Sequence, residues 1–166
     1  MSIHLLWAII AIAAASTKMS YAGSDRIAGF ERPGKLVSIG HHALHIHCMG
    51  DGKPTIVLEA GIGGNYLDWI KIQRRAAKFT KVCSYDRTGY GWSEAGPKPR
   101  TISVVVAELE QLLTNVGLIE PVILVGHSFG GLVSLQFAAT HHSRLAGLVL
   151  IDPMHPEQFE RFLRRV

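Results

Sequence analysis

From Gly23 onward, short apolar runs alternate with stretches of helical period. Residues 35–39 and 43–48, parted by Gly40, predict two strands of a hairpin, and residues 55–58 predict a third strand after Pro54. That third run ends in the glycine-rich loop Gly61-Ile62-Gly63-Gly64, after which Asp68 is placed to cap a helix from Trp69 to about Lys78. Residues 81–85 predict the next strand. Thr101 opens the clearest helix, where Ile102, Val105, Val106, Leu109, Leu112, Leu113 and Val116 recur at steps of three and four and Gly117 sits at a left-handed stop. Residues 122–125 are wholly apolar, as strands covered on both faces are. Residues 126–131 turn that strand into a helix reaching about Thr140, and residues 146–151 form a last apolar strand closed by Asp152-Pro153. Alternation of strand and helix predicts an α/β fold with a mostly parallel sheet and helices on both faces. No repeat or linker divides residues 23–166.

The first 22 residues follow another pattern. Residues 5–15 are an unbroken apolar run, too short to span a bilayer core but of the length found in a secretory signal. The following polar stretch ends Ser20-Tyr21-Ala22, with small residues where a signal peptidase cuts. The expectation is an exported protein, secreted or periplasmic. Since no Lys or Arg precedes Lys18, an uncleaved membrane anchor is the alternative reading.

Composition narrows the classes further. At 48% apolar residues the 166-residue chain can build a core, which argues against disorder. Its 17 Lys and Arg against 13 Asp and Glu are scattered except for Arg161, Arg164 and Arg165, too thin a pattern for nucleic acid. Cys48 and Cys83 lack zinc-site spacing; two buried thiols are the preferred reading, with a single bridge as the alternative that an oxidising compartment permits. His45 and His47 fall on one strand face, near His41 and His42, and a polar strand face is preferred to a metal site.

The chemistry concentrates in Gly126-His127-Ser128-Phe129-Gly130-Gly131. A hydroxyl thrust out of a tight strand-to-helix turn needs small neighbours, which glycines on both sides supply, and the helix that follows favours developing negative charge. Ser128 is therefore the candidate nucleophile, against the plainer reading of an incidental serine in a glycine turn. The backbone N–H of Phe129 and that of Ile62 in the earlier glycine loop are the candidate oxyanion donors. Neither loop carries the Gly-Lys-Ser/Thr or G-x-G-x-x-G of a phosphate site.

Three segments together resemble the α/β-hydrolase superfamily: residues 58–64, residues 84–93 with Asp86-Arg87-Thr88-Gly89-Tyr90-Gly91, and the turn around Ser128. The resemblance implies an eight-stranded, mostly parallel sheet, a Ser-acid-His triad in that order, acyl substrates such as esters or amides, and no metal or organic cofactor. It implies that residues 86–93 brace the oxyanion loop, and that a serine rather than an aspartate at the turn means acyl transfer. This chain has Ala60-Gly61 where the family's loop usually begins His-Gly.

The resemblance runs only to about the sixth strand, and the segments that carry the usual acid and histidine in relatives lie beyond it. His127, His141, His142 and His155 offer no clear substitute base. Asp152 stands where some relatives take the triad acid, although a structural residue closing the strand is the preferred reading. The residues 156–166 suggest the opening of an amphipathic cap helix, and the sixth strand is expected to leave an open edge suited to pairing. Three functional readings result: an exported, esterase-like serine hydrolase of a small acyl substrate; a silent fragment or pseudoenzyme that binds a ligand or partner; and, less favoured, a membrane-anchored interaction module using residues 5–15.

Overall fold

A computed structural model describes residues 26–27, 29–155 and 157–158. The expected signal or anchor and the expected apolar stripe of the tail, from Phe159 on, lie outside the described residues.

A two-stranded hairpin, β1 (Arg26–Ile27) and β2 (Phe30–Glu31), precedes the main sheet. The sheet comprises β3 (Lys35–Ser38), β4 (Ala43–Met49), β5 (Ile56–Glu59), β6 (Val82–Tyr85), β7 (Val122–His127) and β8 (Leu145–Ile151). Their spatial order is β3-β4-β6-β5-β7-β8. β3 pairs antiparallel with β4, and β4 with β6, while the β6-β5-β7-β8 pairings are parallel. The sheet is thus mixed, its parallel part holding the residues of interest.

Among the described residues three helices cover it: α1 (Ile70–Ala76), α2 (Ile102–Asn115) and α3 (Phe129–Thr140). The twofold alternation of the strands sorts the core onto two faces. Val57, Cys83, Val122 and Leu124 face α2 and α3, joining Val105, Leu109, Leu112 and Phe137. Leu58, Val82 and Val125 face the other way against Trp69 and Ala76. Helices on both faces is the arrangement predicted from the chain pattern.

The local signals mostly act as predicted. Thr101 caps α2 through its side chain, which accepts from the Val104 amide at 3.3 Å, and Gly117 takes a φ of +86° just past its end. Asp68 does not start a helix. Asn65 caps a 3₁₀ turn over Tyr66–Trp69 that runs straight into α1, and Asp68 is the reciprocal acid of its capping box, accepting from the Asn65 amide. The helical stretch therefore begins earlier than the apolar period suggested and ends before Lys78.

Cys48 and Cys83 are bridged. They stand directly opposite each other on antiparallel β4 and β6, so strand register brings their Cα atoms within 4.0 Å. The preferred expectation of two thiols gives way because their pairing is set by register, which sequence spacing did not expose.

Among the described residues β8 is an edge strand, and Val149, Leu150 and Ile151 are each more than a third exposed, in line with the open-edge expectation. Among the described residues no helix is long and apolar enough to cross a membrane.

Candidate active site

The carboxyl ends of the parallel strands bring the candidate residues together. β5 ends in the loop at residues 60–64, β6 in the loop at residues 86–93, and β7 in the turn at Ser128. Ser128 adopts φ 53° and ψ −119°, a left-handed conformation that L residues other than glycine avoid, at a cost of about 1–3 kcal/mol. Three hydrogen bonds hold it there. Its amide donates to the Ile151 carbonyl at 3.1 Å, and its carbonyl accepts from the Gly131 and Met154 amides, each at 2.9 Å.

The flanking glycines are required by contact. A Cβ on Gly126 would fall 2.4 Å from both the Gly130 carbonyl oxygen and Ser134 Oγ, and one on Gly130 would fall 2.4 Å from the Glu59 carbonyl oxygen. The start of α3 thus lies directly on the end of β5. The glycine loop lies next to the turn without that crowding, since a Cβ on Gly61 would sit 3.5 Å from Ser128 Cβ and 3.2 Å from His127 Nδ1.

Among the described residues, neither the Ile62 nor the Phe129 amide has a hydrogen-bond acceptor. Phe129 is the first residue of α3, so no carbonyl lies a turn earlier to receive its N–H. Ile62 and Phe129 line one cavity, and Ser128, itself half-buried, directly precedes Phe129 at the start of α3.

Beneath the loop is a buried ionic cluster that pattern reading placed only as scaffold. Arg87 donates to the Glu59 carboxylate, to the Ala60 carbonyl at 2.6 Å and to the Gly61 carbonyl, while the Tyr85 hydroxyl donates to Glu59. Its guanidinium also faces the rings of Tyr90 and Phe129 at 5.3 and 5.4 Å. Burial pushes the Glu59 carboxyl above its ordinary range against the opposing pull of Arg87 and Tyr85. Burial, together with the adjoining Glu59 carboxylate, pushes the Tyr85 phenol well up.

A second cluster lies beside it. The Glu108 carboxylate accepts from Arg100 and from the Thr88 hydroxyl and stands 3.3 Å from His42 Nε2. Burial acts to raise the Glu108 carboxyl, but the hydrogen bonds from Arg100 and Thr88 outweigh it and hold it below its usual value.

No histidine reaches Ser128 among the described residues. His45 is fully buried, with Nδ1 2.8 Å from Asp86 and Nε2 against the Pro33 carbonyl, and so is committed to the scaffold. Asp86 also accepts from the Tyr66 and Trp92 amides, tying together the elements around the loop. His45 and His47 do share one face, both packing edge-on against Tyr66. Burial, then His45 and Arg74, lower the His47 pKa from its ordinary value. His127 lies edge-on to Trp69, His141 stacks on Phe137, and His155 Nδ1 accepts from the Glu157 amide. Asp152, exposed at the end of β8, has φ 42° and is the other non-glycine with a left-handed backbone among the described residues.

Two cavities open beside the turn. One of about 260 Å³ touches Gly61, Trp69, His127 and Ile151; another of about 270 Å³ touches Ile62, Arg87, Tyr90 and Phe129. Around the Ser128 turn the geometry thus offers two amides without an acceptor among the described residues and a cavity on each side of the glycine loop.

Comparison with known proteins agrees with this architecture. The Bacillus subtilis (strain 168) protein YqjL is 32% identical over 120 residues, covering 72% of this chain and 47% of that protein. An enol-lactonase from Burkholderia xenovorans LB400 superposes with a TM-score of 0.65 at 27% identity, covering 69% of this chain and 45% of that one. A hydrolase from Pseudomonas aeruginosa PA01 shares the fold with a TM-score of 0.67 at 24% identity, covering 80% of this chain and 52% of that one. The chain thus spans about half the length of each of these three proteins. The family model described as alpha/beta hydrolase fold matches residues 54–166, a stretch that holds the glycine loop, the Arg87 cluster and the Ser128 turn, and the chain belongs to that family.

Proposed function

We propose that this chain carries the nucleophile and oxyanion half of a serine hydrolase acting on esters, amides or related small acyl compounds. Ser128 is the nucleophile, and the N–H groups of Phe129 and Ile62 receive the negative charge that develops on the substrate carbonyl. The observation that carries this reading is the backbone of Ser128: a strained conformation held by three hydrogen bonds and enclosed by two glycines that nothing larger can replace. The likeness to an enol-lactonase, whose named substrate class is a cyclic ester, supports acyl chemistry.

The mechanism assigns the Ser128 hydroxyl to attack the acyl carbon while its proton passes to a base. In the family order that base is a histidine from a segment outside the described residues, because none of the described histidines is hydrogen-bonded to Ser128. No cofactor or metal enters this scheme. Export is part of the proposal and is supported by the signal-like first 22 residues and by the Cys48–Cys83 bridge, which an oxidising compartment sustains.

That no described histidine is hydrogen-bonded to Ser128 favours one competing reading, a silent protein that binds a ligand in the cavities or a partner along β8. A fluorophosphonate probe separates the two. Covalent labelling of folded protein at Ser128, lost in Ser128→Ala, is the expected outcome. Folded protein that stays unlabelled at millimolar probe overturns the hydrolase reading.

A further inference from the structure

We propose that the cavity between the glycine loop and α2 takes a carboxylate carried by the substrate, with Arg100 as its chief ligand, so that the acyl compounds met by Ser128 are short and anionic. The inference rests on Ser128 being the nucleophile and names the substrate class of that same site. The cavity, of about 270 Å³, is bordered by two guanidiniums, those of Arg87 and Arg100, and by no acidic residue among the described ones. Its apolar walls are Ile62, Val105 and Phe129. Ile62 and Phe129 are also the residues whose amides are assigned to the oxyanion, so a group lodged here adjoins the reacting carbonyl. The volume equals the liquid share of on the order of nine waters, which suits a short chain rather than a fatty one.

Both cations have carboxylate partners, but Glu59 and Glu108 are buried and neither borders the cavity. Each ion pair therefore presents its positive end to the space, and the amino end of α3, which begins at Phe129, adds partial positive charge. Arg100 gives one N–H from Nη1 and one from Nη2 to Glu108. Its Nε hydrogen and the second hydrogen on each Nη have no acceptor among the described residues, and a guanidinium meets a carboxylate with just such a pair of parallel donors. The Arg100 side chain is 27% exposed against 5% for Arg87, so Arg100 is the one that can turn to an incoming group while Glu108 holds it. The cavity on the other side of the loop differs in kind: Asp68, Trp69, Ile72 and Ile151 border it, with no arginine or lysine. An uncharged part of the substrate fits there, and the anionic part fits beside Arg100.

The test compares two probes of equal chain length, a carboxybutyl fluorophosphonate and its methyl ester, by the concentration at which labelling of Ser128 is half-saturated. The proteins are wild type, Arg100→Met and Lys53→Met, the last removing an exposed cation that precedes the opposite end of β5. Hydrogen bonds to a charged group set the scale: the carboxylate probe should half-saturate wild type at about 10- to 100-fold lower concentration than the ester, and Arg100→Met within roughly 3-fold of it. Lys53→Met should keep the wild-type preference. Where Arg100→Met fails to fold, Arg100→Gln combined with Glu108→Gln serves, because it leaves no carboxylate unpaired, and it should lose the preference equally. Wild-type protein that takes both probes alike or favours the ester, or a folded Arg100 variant that still prefers the carboxylate, overturns the proposal while leaving the nucleophile reading intact. Wild-type protein that labels with neither probe overturns both.

Discussion

The contact between α3 and β5 makes Gly130→Ala the sharpest test of how the turn is built. The added Cβ would lie 2.4 Å from the Glu59 carbonyl oxygen, 2.5 Å from that of Ala60 and 2.8 Å from the Glu59 carbonyl carbon, all backbone atoms that cannot rotate aside. Ordinary contact begins near 3.4 Å, so the start of α3 must retreat by roughly an ångström. Overpacking of this kind costs about 1–3 kcal/mol, and the better helix propensity of alanine returns at most about 1 kcal/mol. A net loss of about 2 kcal/mol corresponds to a Tm drop of roughly 4–8 °C in a domain of this size. The companion variant is Gly147→Ala on β8, where the nearest atoms are Ile123 side-chain carbons at 3.5 Å and beyond, and which should be neutral or slightly stabilising. Urea unfolding of both variants, with fluorophosphonate labelling alongside, gives the answer. Gly130→Ala should lose stability and label more slowly, because retreat of α3 carries the Phe129 amide off the glycine loop. A Gly130→Ala protein as stable as wild type, or a Gly147→Ala protein equally destabilised, would refute the close-contact argument.

Ser128→Gly should abolish labelling yet stabilise the fold by about 1 kcal/mol in urea, because glycine accepts the φ of 53° without strain; a destabilised variant would contradict the strained backbone. The Cys48–Cys83 bridge closes a 35-residue separation, for which loop entropy gives about 3–4 kcal/mol, so dithiothreitol should lower the Tm by roughly 10 °C. Identical melts of oxidised and reduced protein, with the thiols titrated, would count against the bridge. The Glu108 carboxyl is held below its usual value in the fold, so its stabilisation is present above the usual carboxylate range and is lost as pH falls through the lowered value. The stability gap between wild type and Glu108→Gln, measured by urea at pH 7 and stepwise to pH 3, should therefore shrink in acid. Glu59 has the opposite sign: its raised pKa gives a contribution present below the usual range and lost as pH rises through the raised one.

Much of the fold was legible because one physical signal dominates each element. The three- and four-residue recurrence from Ile102 to Val116 reports a buried helix face, and Thr101 and Gly117 mark its ends by backbone needs that few residues meet. The turn at Ser128 was legible for the same reason, since glycines at 126 and 130 are a steric necessity written in composition. What sequence did not reveal depends on register and distance in space. The Cys48–Cys83 bridge follows from strands that are neighbours in the sheet yet separated in sequence by β5 and α1. Asp68 has the right chemistry for a cap, but Asn65 three residues earlier takes the role and leaves it the reciprocal one. Glu59 and Arg87 show no mutual spacing along the chain; parallel pairing of β5 with β6 is what stacks them under the glycine loop.

The most direct measurement is the structure of a phosphonate adduct. The account predicts phosphorus bonded to Ser128 Oγ, with one phosphoryl oxygen at about 2.7–3.1 Å from both the Ile62 and the Phe129 amide nitrogens. An adduct whose oxygen points to solvent or to neither amide would contradict it.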